Sequence, residues 1–370
     1  MKLDKLDEAK ELAALRIQID DIDQQIQTLI NKRAECAQRV AEVKQLSAEG
    51  KEVLYYRPER EAQVLRAVMD RNTGPLPAED MAKLFREIMS CCLALEKPMK
   101  VAFLGPEGTY THAAALKHFG HFVQVQPMAA IDEVFREVES GQVNYGVVPV
   151  ENSTEGMVNH TLDSFINSRL FISGEVKLRI HHHLLSAEPC EDIKTVKRVY
   201  SHQQSLAQCR KWLDANCPQI ERVAVSSNAE AARLAKAEKG TVAIAGDMAA
   251  ELYGLIKCSE NIEDQPDNTT RFLIVGGQVV PASGKDKTSI MVSVKNKPGA
   301  LYHLLEPFHQ ANISLTRIET RPSPSGTWSY VFFIDFEGHI DDERVQNVIR
   351  QVSPEVVEVK HLGSYPVGVL

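Results

Sequence analysis

Residues 8–97 carry the apolar spacing of amphipathic helices. In the first helix, from about residue 8 to 47, leucine and isoleucine recur every three or four positions, as in a helix that packs along a seam. A second helix is predicted to begin at Pro58, which suits the first turn, and a third to span about 78 to 97. A first helix of roughly forty residues cannot fold compactly on two shorter ones, so we expect it to pack on a second copy of the chain.

The pattern changes at about residue 98. Short apolar strands then alternate with helices to residue 278, which is typical of an α/β domain with a mostly parallel sheet. Residues 279–287 contain proline, glycine and charge without periodicity and are predicted to be a linker. From 288 to 370 the order is β-α-β-β-α-β, which is ferredoxin-like. The chain is thus predicted to have an all-helical domain (1–97), an α/β domain (98–278) and a ferredoxin-like domain (288–370).

Composition narrows the class of protein. The 370 residues are 44% hydrophobic and 25% charged, as in ordinary globular proteins, and the net charge of −8 disfavours nucleic-acid binding. Seven cysteines without a paired motif indicate reduced thiols and a cytoplasmic protein. The charged first residues do not form a secretory signal, and no apolar run approaches the length of a membrane span.

Arg33 stands where the apolar series of the first helix predicts a hydrophobic residue. The series resumes at Cys36, Val40 and Val43. Lys44 follows Arg33 by eleven residues, about three turns, so both cations project from one face. An unpaired buried cation costs several kcal/mol. Either Arg33 reaches water or a glutamate across a dimer, or the helices enclose a site for a doubly charged anion.

Glu96 is a carboxyl on the apolar stripe of the third helix. It follows Ile88 and Cys92 at steps of eight and four. Burial there raises the pKa of a carboxyl, which could then donate a hydrogen bond to a ligand oxygen. The alternative is that Glu96 marks a frayed helix end before Lys97 and Pro98.

Four polar motifs lie where strands of the α/β domain begin or end: GPEGTYTHAA, VVPVENSTEG, YSHQQS and NTTRF. The first places a helix N-terminus after a glycine turn, which offers N–H groups to an anion or is simply a structural turn. Asn152 and Ser153 are either ligand-binding residues or residues that only cap a helix. Because polar residues collect at the carboxyl ends of several strands, we expect a ligand crevice there.

The tract RIHHHLLS at residues 179–186 could suggest a metal site. On a strand, however, His181 and His183 point one way and His182 the other. No set of Cys, Asp or Glu with ligand spacing lies nearby. We therefore expect a strand on the surface of the domain and no metal.

The helical part resembles the all-helical chorismate mutase family. The resemblance rests on LAALRIQIDDIDQQIQTLINKR, AEVK, RPERE and LFREIMSCCLALE, over about residues 8–97. It implies that Arg16 reaches in from the partner subunit and that Glu96 faces the ether oxygen of chorismate. It also implies a site lined by Arg33, Lys44, Arg60 and Glu61. Some members carry aspartate where this chain has Arg57, so no role follows for Arg57.

That resemblance implies a pericyclic rearrangement of chorismate to prephenate. The reaction needs no nucleophile, metal or cofactor. The enzyme must hold a chair-like conformer and stabilise charge that develops on the ether oxygen. Fixed cations and a protonated Glu96 near Lys44 would do both.

The α/β part resembles prephenate dehydratase, because the four polar motifs match that family in order over about residues 100–276. The resemblance implies a two-lobed domain like a periplasmic binding protein, with the active site between the lobes. It implies Thr270 as the main catalytic residue, which places a proton donor on the departing hydroxyl. The implied substrate-binding residues are Glu151, Asn152, Ser153, Ser201, Gln208 and Arg271.

The last domain resembles the ACT amino-acid-binding domain through NKPGALYHLLEPF and IETRPSP. Tyr302 and Thr320 depart from the commonest letters of the two motifs. The resemblance implies that phenylalanine binds between two such domains, although a dimerisation module is the simpler reading. The implied effector-binding residues are Gly299, Ala300, Leu301, Asn312, Glu319, Thr320, Arg321 and Pro322.

Together the resemblances imply a bifunctional enzyme. It would convert chorismate to prephenate and prephenate to phenylpyruvate, with phenylalanine as inhibitor and a homodimer or larger assembly as the working form. An arogenate dehydratase with a mutase domain, or a two-lobed sensor without turnover, are the alternatives. Assays with prephenate and with arogenate would distinguish the two kinds of dehydratase. Absence of any product from chorismate would favour the sensor.

Overall fold

The structure, a computed structural model, describes residues 5–47, 54–190, 193, 196–294, 297–322 and 330–370. Three parts follow one another along the chain: one of helices, one with two mixed sheets, and one with a single antiparallel sheet. The predicted fold class is therefore confirmed. Within the described residues, no helix is both long enough and apolar enough to cross a bilayer.

The bounds of the helices in the first part are α1, Lys5–Ser47; α2, Pro58–Asp70; and α3, Ala78–Glu96. Pro58 opens α2, where its missing N–H leaves no hydrogen bond unmade. Arg57 precedes α2, and its Nε donates to Glu59 in the first turn of that helix at 2.5 Å. Much of the predicted loop between α1 and α2 lies outside the described residues.

α1 packs on α3, and the buried side of its C-terminal half carries small side chains. Ala41 is buried and Ala37 half-buried on this face. By contrast, Val40 and Val43, which the apolar series placed on the seam, are 50% and 56% exposed. Within one chain, the contact with α3 therefore involves a different face from the apolar series, and small residues there let two helix axes approach closely. Residues 8–29 are exposed throughout.

The elements of the second part are β1, Lys100–Leu104; α4, Tyr110–Phe119; β2, Gln124–Met128; α5, Ile131–Glu139; β3, Tyr145–Asn152; β4, Gly156–Met157; α6, Asn159–Asn167; β5, Phe171–Arg179; β6, His183–Ser186; β7, Arg198–His202; α7, Gln203–Gln208; α8, Arg210–Asn216; β8, Glu221–Val225; α9, Asn228–Ala237; β9, Thr241–Ala245; α10, Asp247–Tyr253; β10, Ile256–Ser259; and β11, Thr269–Gly276. Lobe I holds the sheet β2-β1-β3-β11-β5, with β4 paired to β3. Lobe II holds the sheet β10-β6-β9-β7-β8.

The sheets are mixed rather than mostly parallel. The chain crosses between the lobes twice, at residues 180–182 and 260–268. β1 and β3 run toward the other lobe, whereas β11 returns from it and so pairs antiparallel with β3 and β5. The end of β3 and the start of β11 are therefore neighbours beside the gap between the lobes.

The elements of the third part are β12, Asp286–Val294; α11, Ala300–Gln310; β13, Leu315–Pro322; β14, Tyr330–Glu337; α12, Glu343–Val352; and β15, Glu358–Pro366. The sheet has the order β13-β14-β12-β15, and every pairing is antiparallel. β12 begins at Asp286, so the last residues of the predicted linker belong to the sheet. Arg66 of α2 also holds this stretch, because it donates to the carbonyl oxygens of Ser283 and Lys285 at 3.2 and 2.9 Å.

Both faces of the C-terminal sheet carry packed hydrophobic residues. One face packs on α11 and α12. On the other, Met291 and Tyr365 share a hydrophobic cluster with Ile172 and Val275 of lobe I. Gly363 permits this contact, since an added Cβ would meet the carbonyl oxygen of Ile172 at 2.3 Å. The C-terminal domain and lobe I therefore form one continuous core.

Candidate active sites

A cleft of about 360 Å³ lies between the two lobes. The ends of β1 and β3 and the start of β11 face it from lobe I, and α7 with residues 226–228 faces it from lobe II. This is the edge at which the sequence predicted a ligand crevice. Of the predicted dehydratase residues, Asn152, Gln208 and Thr270 line the cleft.

Asn152 fixes the hydrogen bonding of Thr270. Nδ2 of Asn152 lies 2.8 Å from Oγ1 of Thr270 and 2.8 Å from Oδ1 of Asn268. Oδ1 of Asn152 accepts from the backbone N–H groups of Thr154 and Glu155 at 3.0 and 3.1 Å. The two N–H groups leave only one orientation for the amide, so Asn152 donates to Thr270. The hydrogen of the Thr270 hydroxyl remains available for a ligand in the cleft.

Gln208 links the two lobes beside this pair. Its Nε2 donates to Oγ1 of Thr154 at 2.9 Å, and its Oε1 accepts from Nδ2 of Asn268 at 3.1 Å. Oε1 also lies 2.9 Å from Nε2 of His182, which must carry a hydrogen because an amide oxygen only accepts. Burial lowers the pKa of His182 and keeps the ring neutral. Its Nδ1 lies 2.8 Å from the hydroxyl of Tyr110.

The histidine tract does not lie on the surface of a lobe, as the sequence suggested. His182 and His183 are 1% and 2% exposed, because the tract forms the first crossover between the lobes. Nδ1 of His181 lies 2.9 Å from Glu263, and Nε2 of His183 lies 3.2 Å from Asp247. In the part of the chain that the structure describes, no group of three or more His, Cys, Asp or Glu could hold a metal ion.

Sequence reasoning missed three polar residues of this region: Tyr110, His182 and Asn268. Asn268 is the first residue of the quoted NTTRF motif. An amide side chain at the start of an apolar strand was the available signal, because a buried amide needs hydrogen-bond partners. Tyr110 was visible only as part of a glycine-turn motif. The position of His182 depends on where the chain crosses between lobes, which periodicity does not show.

Ser153 and Ser201 support cleft residues rather than line the cleft. Oγ of Ser153 accepts from the backbone N–H of Thr269 at 2.9 Å and so ties the start of β11 to the turn after β3. Ser201 is fully buried, and its Oγ lies 2.9 Å from Oδ1 of Asn228. Asn228 is the residue that reaches the cleft. The structure therefore differs from the prediction for both serines.

Arg271 and Glu151 point away from the cleft. Nε of Arg271 donates to Glu175 at 2.7 Å, and its Nη1 donates to Asp335 of the C-terminal sheet at 2.6 Å. Glu151 forms an ion pair with Arg317 of β13. Side chains alternate along a strand, so each faces away from its neighbour in the cleft. The structure thus does not bring these two predicted residues into the cleft.

Glu96, Lys44 and Arg33 come together where the end of α3 meets α1. Burial raises the pKa of Glu96, and the nearby cations Lys44 and Arg33 only partly offset this effect. Oε2 of Glu96 is buried without a hydrogen-bond partner among the described residues. The ammonium of Lys44 donates to the carbonyl oxygens of Leu54 and Tyr55 at 3.2 and 3.4 Å. The arrangement offers a carboxyl oxygen and two cations to one ligand.

The other predicted mutase residues lie elsewhere in the single chain. Oε1 of Glu61 is 3.5 Å from Nε of Arg86. Burial raises the pKa of Glu61 to about 7, although Arg86 opposes this shift. Arg60 and Arg16 are exposed, the latter on the exposed half of α1. Three of the six predicted mutase residues therefore meet within one chain.

The predicted effector residues fall into separate groups. Gly299 precedes α11 with φ +78°, and Ala300 and Leu301 open the helix. Asn312 follows the other end of α11, with φ +52°, so it lies roughly 16 Å or more from Gly299 along the helix axis. A further group lies on β13 and contains Glu319, Thr320, Arg321 and Pro322. One chain does not bring these groups together.

Three family models match the chain in order. Chorismate mutase type II matches residues 15–97, prephenate dehydratase matches residues 101–279, and the ACT domain matches residues 288–354. The last model covers the strand β13 and both helices of the C-terminal domain.

Curated proteins and solved structures agree with these models. A bifunctional chorismate mutase/prephenate dehydratase of Stutzerimonas stutzeri is 63% identical over 366 residues, 99% of this chain and 100% of that one. Another, from Pseudomonas aeruginosa, is 62% identical over 97% of this chain and 99% of its own. A prephenate dehydratase from Arthrobacter aurescens, solved in complex with L-Phe, is 32% identical with a TM-score of 0.67, and the match covers 72% of this chain and 90% of that one. This chain therefore belongs to the family of bifunctional chorismate mutase/prephenate dehydratases.

Proposed function

We propose that the cleft between the lobes is the dehydratase site and that Thr270 is its proton donor. The hydrogen bond from Asn152 to Thr270 is the observation that supports this role. Hydroxide is a poor leaving group, so the reaction needs a positioned proton. A threonine hydroxyl is a weak acid, but a fixed amide N–H on its oxygen stabilises the negative charge that develops as the proton leaves.

The step balances with groups that the cleft contains. The bond from the ring to the departing carboxylate breaks and releases CO2, and its electron pair enters the ring. The ring C–O bond breaks, and the hydroxide leaves as water with the proton of Thr270. The Thr270 oxygen then regains a proton from solvent before the next turnover. The N–H groups at the start of α4, which borders the cleft, are suited to a carboxylate of prephenate.

We place the mutase site at Glu96, Lys44 and Arg33. A protonated Glu96 would donate to the ether oxygen of chorismate, with Lys44 beside it, while Arg33 binds a carboxylate. No covalent step is required, because the groups hold the reactive conformer and stabilise the developing charge. Glu61 remains a prediction from the resemblance, and its contact with Arg86 does not support it.

We infer that two chains pair through α1. Leu12, Leu15, Ile19, Ile22 and Ile26 repeat along the exposed part of this helix, and each is about half exposed. A continuous apolar stripe of this length marks an interaction surface, and a second copy would cover it symmetrically. The pairing would bring Arg16 of one chain to the Glu96 site of the other.

We also propose phenylalanine as the effector of the ACT domain. The relative from Arthrobacter aurescens was solved with L-Phe. Gly299 and Asn312 lie at opposite ends of α11 within one chain. A site between two ACT domains would let the end of one α11 meet the start of the other.

Thr270→Val should abolish most dehydratase activity. Valine keeps the shape of threonine and removes the hydroxyl, so we expect kcat for phenylpyruvate formation from prephenate to fall by about 10²- to 10⁴-fold. Thr270→Ser is the matched control and should retain much of the rate. Mutase activity of the same preparation should not change, and full dehydratase activity in Thr270→Val would contradict the assignment.

Mutase activity should fall as pH rises through the raised pKa of Glu96. The active form is the protonated one, so activity is present below that pKa and lost above it. Glu96→Gln carries a permanent donor and should flatten the profile over the same range. The measurement is the initial rate of chorismate loss against pH for both proteins. The same alkaline loss in Glu96→Gln would assign it to another group.

Mixed dimers test whether Arg16 acts across the interface. Arg16→Ala and Glu96→Ala should each be inactive as mutases when alone. If each site combines Arg16 of one chain with Glu96 of the other, half of the dimers after random mixing are hybrids with one intact site. The mixture should then regain about a quarter of the wild-type mutase rate. No recovery after unfolding and joint refolding would place both residues in the same chain's site.

A further inference from the structure

Two neighbouring strands of lobe I each carry a cleft residue beside an outward-facing charged residue. On β11 these are Thr270 and Arg271, and on β3 they are Asn152 and Glu151. The register pairs Thr270 with Asn152 and Arg271 with Glu151. Because side chains alternate along strands, both inner residues meet in the cleft while both outer residues reach the ACT domain.

Arg271 contacts two strands of the ACT sheet directly and a third through Glu175 of lobe I. Its Nη1 donates to Asp335 of β14 at 2.6 Å, and its Nη2 donates to the hydroxyl of Tyr365 of β15 at 2.9 Å. Its Nε donates to Glu175 of β5, which also accepts from Lys287 of β12 at 2.8 Å. Two cations and two carboxylates therefore balance inside a buried interface, where loss of one partner would leave an uncompensated charge.

β13 is attached to lobe I at two points. Arg317 forms the ion pair with Glu151 at the end of β3. Arg321 donates to Asp163 of α6 at 2.9 Å. Arg317 and Arg321 lie on the same face of β13, since they are four residues apart on a strand. Of these two ion pairs, only the one between Arg317 and Glu151 adjoins Asn152, which contacts Thr270.

We propose that Glu151 and Arg271 are positioning residues, which make the hydrogen bond between Asn152 and Thr270 depend on the placement of the ACT sheet. The inference rests on the proposed role of Thr270. A shift of β13 would move Glu151 through Arg317, and Glu151 is joined to Asn152 by one peptide. An effector that favours the shifted sheet would thereby lower the dehydratase kcat, to the extent that it binds that state better.

Arg317→Gln is the main test, with Asp163→Asn as the matched control. Each substitution removes one ion pair between β13 and lobe I, but only the first pair adjoins the catalytic hydrogen bond. We expect Arg317→Gln to lower the kcat for prephenate about tenfold with little change in KM, as is typical of such coupling. Asp163→Asn should leave both constants unchanged. Mutase rate and thermal unfolding midpoint report whether each variant is folded.

A double-mutant cycle with Glu151→Gln completes the test. If Glu151 acts only through Arg317, the double variant should lose no more kcat than either single variant. Additive losses, or a rise in KM confined to Glu151→Gln, would show that Glu151 contacts the substrate and would overturn the proposal. A wild-type kcat in Arg317→Gln would overturn it as well.

The same proteins separate this proposal from the proposed function. If Thr270→Val keeps its activity, the role of Thr270 is wrong, whatever the ion-pair variants do. If Thr270→Val is inactive and Arg317→Gln behaves like Asp163→Asn, only the positioning proposal fails. Tyr365→Phe adds an independent arm, because it removes one hydrogen bond of Arg271 without burying a charge. It should also lower kcat while KM is retained, and an unchanged kcat would remove Arg271 from the proposal.

Discussion

The two-residue period of a β-strand is the constraint on which this structure depends. Along β11, one side chain must face the cleft when the next faces the opposite side of the sheet. The cleft side carries Thr270, and the opposite side carries Arg271, which lies in the interface with the ACT domain. The strand is central in its sheet, with β3 and β5 on either side, so it cannot move without moving both. The proposed catalytic residue and a residue bound to the ACT domain are thus neighbours in the chain.

The charges in that interface determine how the ACT sheet packs on lobe I. Burial alone would raise the pKa of Glu175, but Arg271 and Lys287 hold it below its usual value. The carboxylate therefore stays charged although it is buried, because both cations donate to it at 2.7 to 2.9 Å. Buried ion pairs add little net stability, but they strongly disfavour any arrangement that separates the partners. The ACT sheet therefore cannot move away from lobe I at these residues without leaving a buried charge unpaired.

The sequence predicted the fold class well, because each part has its own period. Helical spacing, strand–helix alternation and a β-α-β-β-α-β order are local patterns, and the structure has all three. The motif resemblance also placed Thr270, Asn152 and Gln208 at one site between the lobes, and all three line the cleft. The motif could not show that Thr270 faces the cleft while Arg271 faces the opposite side of the sheet, because the two residues are adjacent in one motif. The position of His182 depends on where the chain crosses between the lobes, and the position of Arg317 depends on how two domains pack. Neither position has a local signal in the sequence.

The helical part shows a different limit. Part of the apolar series on α1, including Val40 and Val43, remains exposed in the single chain. Small residues such as Ala37 and Ala41 carried the intramolecular contact, and their weak hydrophobicity hid it. The long exposed half of α1 was predicted correctly as a helix, and its partner remains a proposal.

Amide hydrogen exchange, with and without phenylalanine, tests most directly whether the ACT sheet controls β11. The account predicts that phenylalanine changes exchange in β13 and, together with it, at residues 269–272 and 151–153. β2 lies at the edge of the same sheet and, among the described residues, pairs with β1 rather than with β3 or β11, so it serves as the reference and should not respond. A change confined to β13, with β11 as unaffected as β2, would contradict the account.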